Sequence, residues 1–274
     1  MVKNLKIPTF YIPHGGGPWH VMDDALGDPV GYGSLREYLS EFGQKYSPKI
    51  KAILVISAHW EENVPAIHFG QNPPMLYDYY GFPEFTYQFQ WNAPGQPQLA
   101  EKVEALLNHA GFRTKREYKR GYDHGTFVPL MIAFPNAGIP VVQLSLVRSL
   151  DPATHLAIGK ALEPLREQDV LIIGSGMSYH NMRGFMSGSK KASEISKQFD
   201  DWLSTIISIE DAEKRNKALM DWKDAPGALE SHPRSEHLLP LFVIAGAAGK
   251  DIGKQDFSGK LMSVNISGYK FESL

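Results

Sequence analysis

The sequence predicts an α/β fold, a single domain with a largely parallel central sheet flanked by helices. Two observations carry that expectation. Short runs rich in β-branched and aromatic residues alternate with longer segments of helical periodicity, as in parallel strands joined by helical crossovers. The strand-like runs are apolar at nearly every position, which suits strands covered on both faces. The chain has 274 residues without an internal repeat, a low-complexity tract or a linker, so it reads as one domain over residues 1–274.

In chain order, Thr9–Ile12 is the first strand, and a helix is expected over Leu35–Tyr46. Ala52–Ser57 is the second clear strand, and Ile67–Phe69 a weaker one. From Gln71 to Pro97 the chain is rich in Pro, Tyr, Phe and Gly and predicts a long structured loop, of the kind that covers binding sites. In Pro97–Ala110, Leu99, Val103, Leu106 and Leu107 recur at helical spacing and Gly111 provides a stop. Thr126–Phe134 is helical, Val141–Leu146 a strand, Pro152–Arg166 a helix and Val170–Ile173 a strand. Helices over Ala192–Ile209, Ala212–Trp222 and Glu236–Ala248 follow, then a late strand at Leu261–Ile266.

Charge and composition exclude several functions. A formal net charge of −2 gives no general attraction to nucleic acid or anionic lipid, so neither is an expected partner. Lys115-Arg116 and Lys119-Arg120 are short, interrupted by Glu117 and Tyr118, and read as solvated surface. The absence of cysteine removes disulfide frameworks, thiolate metal sites, iron–sulfur clusters and cysteine nucleophiles together. Met1–Lys6 runs into a strand without an apolar export signal. No apolar stretch approaches the roughly 18 residues of a spanning helix. A soluble, cytoplasmic protein is expected.

Five of the ten histidines stand at the abrupt ends of apolar runs. They are His14 in Pro13-His14-Gly15-Gly16-Gly17, His59 in Ser57-Ala58-His59-Trp60 and His124 in Tyr122-Asp123-His124-Gly125. The others are His180 in Ser178-Tyr179-His180-Asn181 and His237 in Ser235-Glu236-His237-Leu238. In open α/β sheets ligands bind beyond the carboxyl ends of the strands. Imidazole is both a common metal ligand and the acid–base group suited to neutral pH. The pattern points to one site assembled from distant segments, and first to a metalloenzyme. Alone, each motif also has a plain structural reading, as a tight glycine turn or a hydrogen-bonded histidine. Glu61 or Glu62 either orients His59 or faces solvent, and Asp123 either fixes the His124 tautomer or caps the helix that follows. His20 reads as surface or as support for the site. His68, His109, His155 and His232 read as structural or exposed.

Competing motifs fail on particular residues. His14-Gly15-Gly16-Gly17 matches the oxyanion loop of esterases, but the nucleophile elbow Gly-x-Ser-x-Gly is broken where His180 replaces its last glycine. Gly174-Ser175-Gly176 lacks the third glycine of a dinucleotide fingerprint, because Tyr179 occupies that position. No nucleotide cofactor is expected.

Taken in order, these segments resemble the class III extradiol ring-cleavage dioxygenases, in the branch related to 4,5-DOPA dioxygenase. Pro140–Ser145, Asn181-Met182-Arg183, Leu238-Leu239-Pro240, Gly81-Phe82-Pro83 and Ala93-Pro94-Gly95 extend the match over nearly the whole chain. The resemblance implies a mononuclear metal near the sheet edge, with His14 and His59 as paired ligands. The third ligand is a glutamate in the broader family and a histidine in this branch, which maps to His237 with Glu236 as its rival. His124 would handle protons beside the substrate, and His180 would serve as ligand or as acid–base group. The implied reaction is cleavage of a catechol, DOPA-like, by O2 to a muconic semialdehyde. One divalent metal ion is implied, Fe(II) for activity or Zn(II) as found, since imidazole sites favour zinc over ferrous iron. The implied partners are a small aromatic diol and O2. Two other classes fit an all-histidine site: a zinc-dependent hydrolase using metal-bound water, and a non-catalytic metal-containing protein that binds an aromatic ligand. Tyr77, Tyr79, Tyr80, Phe82 and Trp91 line a planar pocket or pack the loop. Arg183 pairs with a substrate carboxylate or anchors its own loop.

Overall fold

The computed structural model describes residues 6–273. The reading of Met1–Leu5 as lacking an export signal falls outside the described residues. The first half of the fold runs β1 (Thr9–Pro13), α1 (Pro29–Tyr46), β2 (Ala52–Glu62), β3 (Ala66–His68), α2 (Pro97–His109), β4 (Lys115–Glu117), α3 (His124–Ala133) and β5 (Val141–Val147). The second half runs α4 (Pro152–Leu162), β6 (Val170–Gly176), α5 (Met182–Ser187), α6 (Lys190–Ile207), α7 (Ala212–Met220), α8 (Ala228–Ser231), α9 (Leu239–Ala247), β7 (Ile252–Leu261) and β8 (Val264–Glu272).

The strands form one eight-stranded sheet in the order β4-β3-β5-β2-β6-β1-β8-β7. Its centre, β5-β2-β6-β1, is parallel throughout, and β3, β8 and β7 add antiparallel pairings toward the edges. Strand alternation divides the core in two. Leu54, Ile56 and Ile172 face α2, α4, α6 and α9, whereas Ile53, Val55, Leu171 and Ile173 face α1 and α3. Both faces of the central strands are therefore covered, which is why those strands are apolar at most positions.

Several boundaries differ from the sequence reading, each for a local reason. The late strand expected at Leu261–Ile266 spans a hairpin turn. Leu261 pairs with Val264 across Met262 and Ser263, both at positive φ. That two-residue geometry is usually announced by Asn or Gly, and neither is present. α1 begins at Pro29 instead of Leu35, because the Asp28 carboxylate accepts from Gly31 N at 3.0 Å and caps it. α4 stops at Leu162, where Pro164 forces a 3₁₀ turn over Glu163–Gln168 in place of a helix to Arg166. α3 starts at His124, and α9 starts at Leu239, leaving Glu236 and His237 in the turn before it. The loop from Gln71 to Pro97 carries only a 3₁₀ turn at Glu84–Tyr87 and an isolated bridge, as its composition implied. Among the described residues, no helix is long and apolar enough to cross a membrane.

Candidate metal centre and active site

The carboxyl ends of β1, β2 and β6 deliver the first pieces of the site. His14 follows β1 directly, and its N–H donates to Gly176 O at 3.2 Å, tying it to the end of β6. His59 lies inside β2 at an irregularity, since the register against β5 shifts between Ile56 and Glu61. Such bulges re-aim side chains beside active sites. His237 sits in the turn before α9, and its carbonyl accepts from Tyr11 Oη at 2.7 Å. This turn lies against Gly176, where an added Cβ would approach His237 O to 2.1 Å. The glycine at the end of β6 therefore makes room for the His237 turn.

The Nε2 atom of His59 lies 3.2 Å from His14 Nε2 and 3.2 Å from His237 Nε2. The other nitrogen of each ring is engaged. Ser175 Oγ donates to Gly125 O, so it accepts from His14 Nδ1–H at 3.0 Å. His237 Nδ1 donates to Glu236 Oε1 at 2.9 Å, and His59 Nδ1 is 3.5 Å from Asp78 Oδ2. These partners leave the Nε2 lone pairs directed at one another. Burial, followed by repulsion from neighbouring imidazoles, holds all three well below the usual histidine range. The neutral form is the one that binds metal. Three lone pairs at this separation repel unless a cation lies among them. Nitrogens bound to a common ion at about 2.0–2.1 Å stand roughly 3 Å apart. The donor set fits a divalent metal, with acceptors on the outer nitrogens of the kind that fix metal-ligating imidazoles.

His124 and His180 flank this trio. The His124 ring centroid is 3.9 Å from that of His59, and its Nδ1 donates to Asp78 Oδ1 at 2.8 Å. The same oxygen accepts His124 N–H at 2.8 Å. Burial pushes the Asp78 carboxyl up, but the His124 hydrogen bond and the nearby imidazoles outweigh it and leave it lowered. His180 stacks on His237 at 3.4 Å and 14°, with Nδ1 3.3 Å from Glu236 Oε1. Glu236, the rival third ligand, thus lies behind His237 and His180, and its second oxygen meets Arg234 at 3.2 Å.

All five sequence-predicted histidines line one cavity of about 670 Å³. Gly15 and Gly17 have positive φ, and a Cβ on Gly15 would come within 2.3 Å of Trp19 Nε1, so the glycine loop closes tightly beside His14. Tyr79, Tyr80 and Phe82 line the cavity. Tyr77 and Trp91 do not; Tyr77 packs on Phe89 and Phe127, and Trp91 donates to Phe134 O at 3.0 Å. Ser178 is buried and accepts from Ser267 N at 2.8 Å, so it offers no nucleophile.

Sequence reasoning missed Asp78, which holds both His59 and His124. It named Glu61, Glu62 and Asp123 as orienting candidates, and none of them touches the imidazole concerned. Glu61 pairs with Arg234 at 2.5 Å, and Glu62 with Lys115 at 3.2 Å. Asp123 caps α3 through Thr126 N at 3.0 Å and accepts from Ser57 Oγ at 2.6 Å. His20, His68, His155 and His232 are buried away from the cavity, and His109 is exposed. His155 bridges Val147 N and Asp151 O, and His232 bonds Ser178 O.

An α/β sheet that gathers five imidazoles into one cavity, with three ring nitrogens drawn together, forms a candidate histidine-based metal site. Residues 8–269 match the family described as the catalytic LigB subunit of aromatic ring-opening dioxygenase. The chain is 40% identical to a 4,5-DOPA dioxygenase extradiol of Beta vulgaris, covering 98% of each chain. It is 36% identical to a protein of the same name from Mirabilis jalapa, over 95% of this chain and 94% of that one. A crystal structure of an uncharacterized protein from Escherichia coli K12 superposes with a TM-score of 0.78 at 26% identity, covering 97% of this chain and all of that one. The chain belongs to the aromatic ring-opening dioxygenase family, in its 4,5-DOPA dioxygenase-like branch, and is an extradiol ring-cleavage dioxygenase.

Proposed function

We propose that the protein opens the ring of a catechol beside its diol, using O2, to give a muconic semialdehyde. His14, His59 and His237 hold one divalent metal ion, Fe(II) in the active enzyme. The observation that carries this reading is that His14 Nε2 and His237 Nε2 each lie 3.2 Å from His59 Nε2 while each Nδ1 faces an acceptor. Both atoms of O2 enter the product, one in the new carboxylate and one in the aldehyde, so no external reductant is required. When bound, ferrous iron supplies Lewis acidity toward the diol and open coordination positions for substrate and O2.

The remaining groups act on protons and position. The Asp78 carboxylate holds His124 Nδ1–H, which leaves His124 Nε2 as a base for a catechol hydroxyl and later as the donor that returns the proton. His180 stands on the other flank, braced by Glu236, and serves as the second acid–base group. Tyr79 and Phe82 bound the space above the imidazoles and shelter it from water.

The test is oxygen uptake by metal-stripped protein reloaded anaerobically with Fe(II) and given a panel of catechols that includes DOPA. Iron-dependent uptake with a yellow semialdehyde product is expected. Protein carrying stoichiometric iron that consumes no oxygen with any catechol would overturn the proposal, and turnover of esters or amides with Zn(II) alone would replace it with hydrolysis.

A further inference from the structure

The cavity is larger than a bare diol requires. Its volume of about 670 Å³ lies within the roughly 300–1,000 Å³ that accommodates drug-sized ligands. Its wall must therefore also select what the ring carries. Away from the histidines that wall is largely apolar, with Met177, Met182, Met186 and Met262 joined by Phe82 and Phe185. Met182 and Met186 are one helical turn apart on α5 and are 58% and 74% exposed. Two methionines held open to solvent on one helix face form an adaptable apolar surface at the cavity mouth.

The charges have one sign. Among the described residues the wall contains no lysine and no arginine, and its charged groups besides histidine are Asp24 and Asp78. Of the basic residues near the wall in sequence, Arg36, Arg120 and Arg234 are engaged by other groups, and Arg183 and Lys260 are exposed and do not line it. Arg36 donates to His20 O at 2.7 Å, and Arg120 donates to His59 O and Asp123 at 3.0 Å. A carboxylate on the ring substituent would leave water and meet no lysine or arginine in the wall. An alkyl or aryl substituent would instead cover methionine and phenylalanine surface.

We propose that this chain prefers catechols whose ring substituent is uncharged and apolar, several carbons long, over catechols whose substituent carries a carboxylate. The inference rests on the ring-cleavage reading for the identity of the diol and on the cavity wall for the substituent. It gives Met182 and Met186 the role of specificity-determining residues.

Two compounds of similar length, 4-butylcatechol and 3-(3,4-dihydroxyphenyl)propionate, provide the test. Their Kd values would be measured under argon on zinc-loaded protein, and their kcat/KM values on iron-loaded protein. The butyl compound should bind, and be turned over, about tenfold or more better. Met186→Lys, at a solvent-exposed position, should narrow that ratio severalfold by improving the carboxylate. Equal or tighter binding of the propionate, absence of measurable butylcatechol binding, or a ratio unmoved by Met186→Lys would overturn the inference. Preferential butylcatechol binding without oxygen uptake from any catechol would uphold the substituent preference and overturn ring cleavage, so the two failures are distinguishable.

Discussion

Asp78 links the proposed metal ligand His59 to the proposed proton-transfer group His124 through a single side chain, one oxygen toward each. Asp78→Asn should retain the fold and bind metal about 10–100-fold more weakly, the usual consequence of losing a carboxylate behind a ligating imidazole. It should also lower kcat at saturating metal, because an amide holds the His124 tautomer less firmly. Metal titration together with kcat at saturating iron checks both effects, and an unchanged kcat would detach Asp78 from His124. His124→Ala makes the complementary case: metal content should be kept while turnover falls about 10²–10⁴-fold. The five histidines were legible because each ends an apolar run, whereas Asp78 lies within the Gln71–Pro97 loop without periodicity to mark it. Its partners are 19 and 46 residues away in sequence, and only the folded loop brings them together. His20 shows a different limit. It is buried with neither ring nitrogen hydrogen-bonded, and burial lowers its pKa to about 4. Above pH 6.5 the group is neutral in both states and adds no pH dependence. Between 6.5 and 4 the unfolded chain takes up a proton that the folded protein refuses, so stability falls as pH falls, by up to about 3 kcal/mol. His20→Leu should flatten the urea-unfolding midpoint over that interval relative to the parent, and an identical slope would show that His20 is not a source of the acid sensitivity.

At the scale of elements, the site depends on how closely the end of β6 approaches the turn before α9. Gly176→Ala would place a Cβ 2.1 Å from His237 O, and the turn must shift to accept it. Because that turn carries His237 while His14 and His59 come from other strands, the expected result is weakened metal binding, about tenfold or more, in a protein with unchanged far-UV circular dichroism. Competition with a chromophoric chelator measures this, and parent-like affinity would mean the turn tolerates displacement. Elements were readable where burial imposes periodicity. β1, β2, β5, β6 and α2 lie near their expected positions because each strand is buried between the two cores and α2 buries a helical stripe in one of them. The hairpin of β7 and β8 was not readable, because β7 alternates Lys254, Gln255 and Asp256 with few apolar residues and its turn uses Met262 and Ser263 at positive φ. α1 extended beyond its expected start because Gly31 and Gly33 weaken the helical pattern that the Asp28 cap enforces.

For the whole molecule, the proposed ligand set couples metal binding to folding. His14, His59 and His237 come from the ends of β1, β2 and the approach to α9, so an unfolded chain holds them too far apart to act as a site. In the folded chain, burial and mutual repulsion disfavour protonation of the cluster, which keeps it in the neutral form that binds metal. A ligand that binds the native state alone stabilises it by about 2.7 kcal/mol when present at one hundred times its dissociation constant. For a chain of this length, each kcal/mol moves the melting temperature by about 2–4 °C. Removing the metal should therefore lower the melting temperature by roughly 5–10 °C, and restoring Fe(II) or Zn(II) should recover it. His59→Ala should abolish that increment, while His124→Ala should keep it despite losing turnover. Calorimetry of the three proteins, with and without metal, separates ligands from proton carriers without any assay of activity. A His59→Ala protein that still gains several degrees from metal would remove His59 from the ligand set, and a His124→Ala protein that gains nothing would move His124 into it.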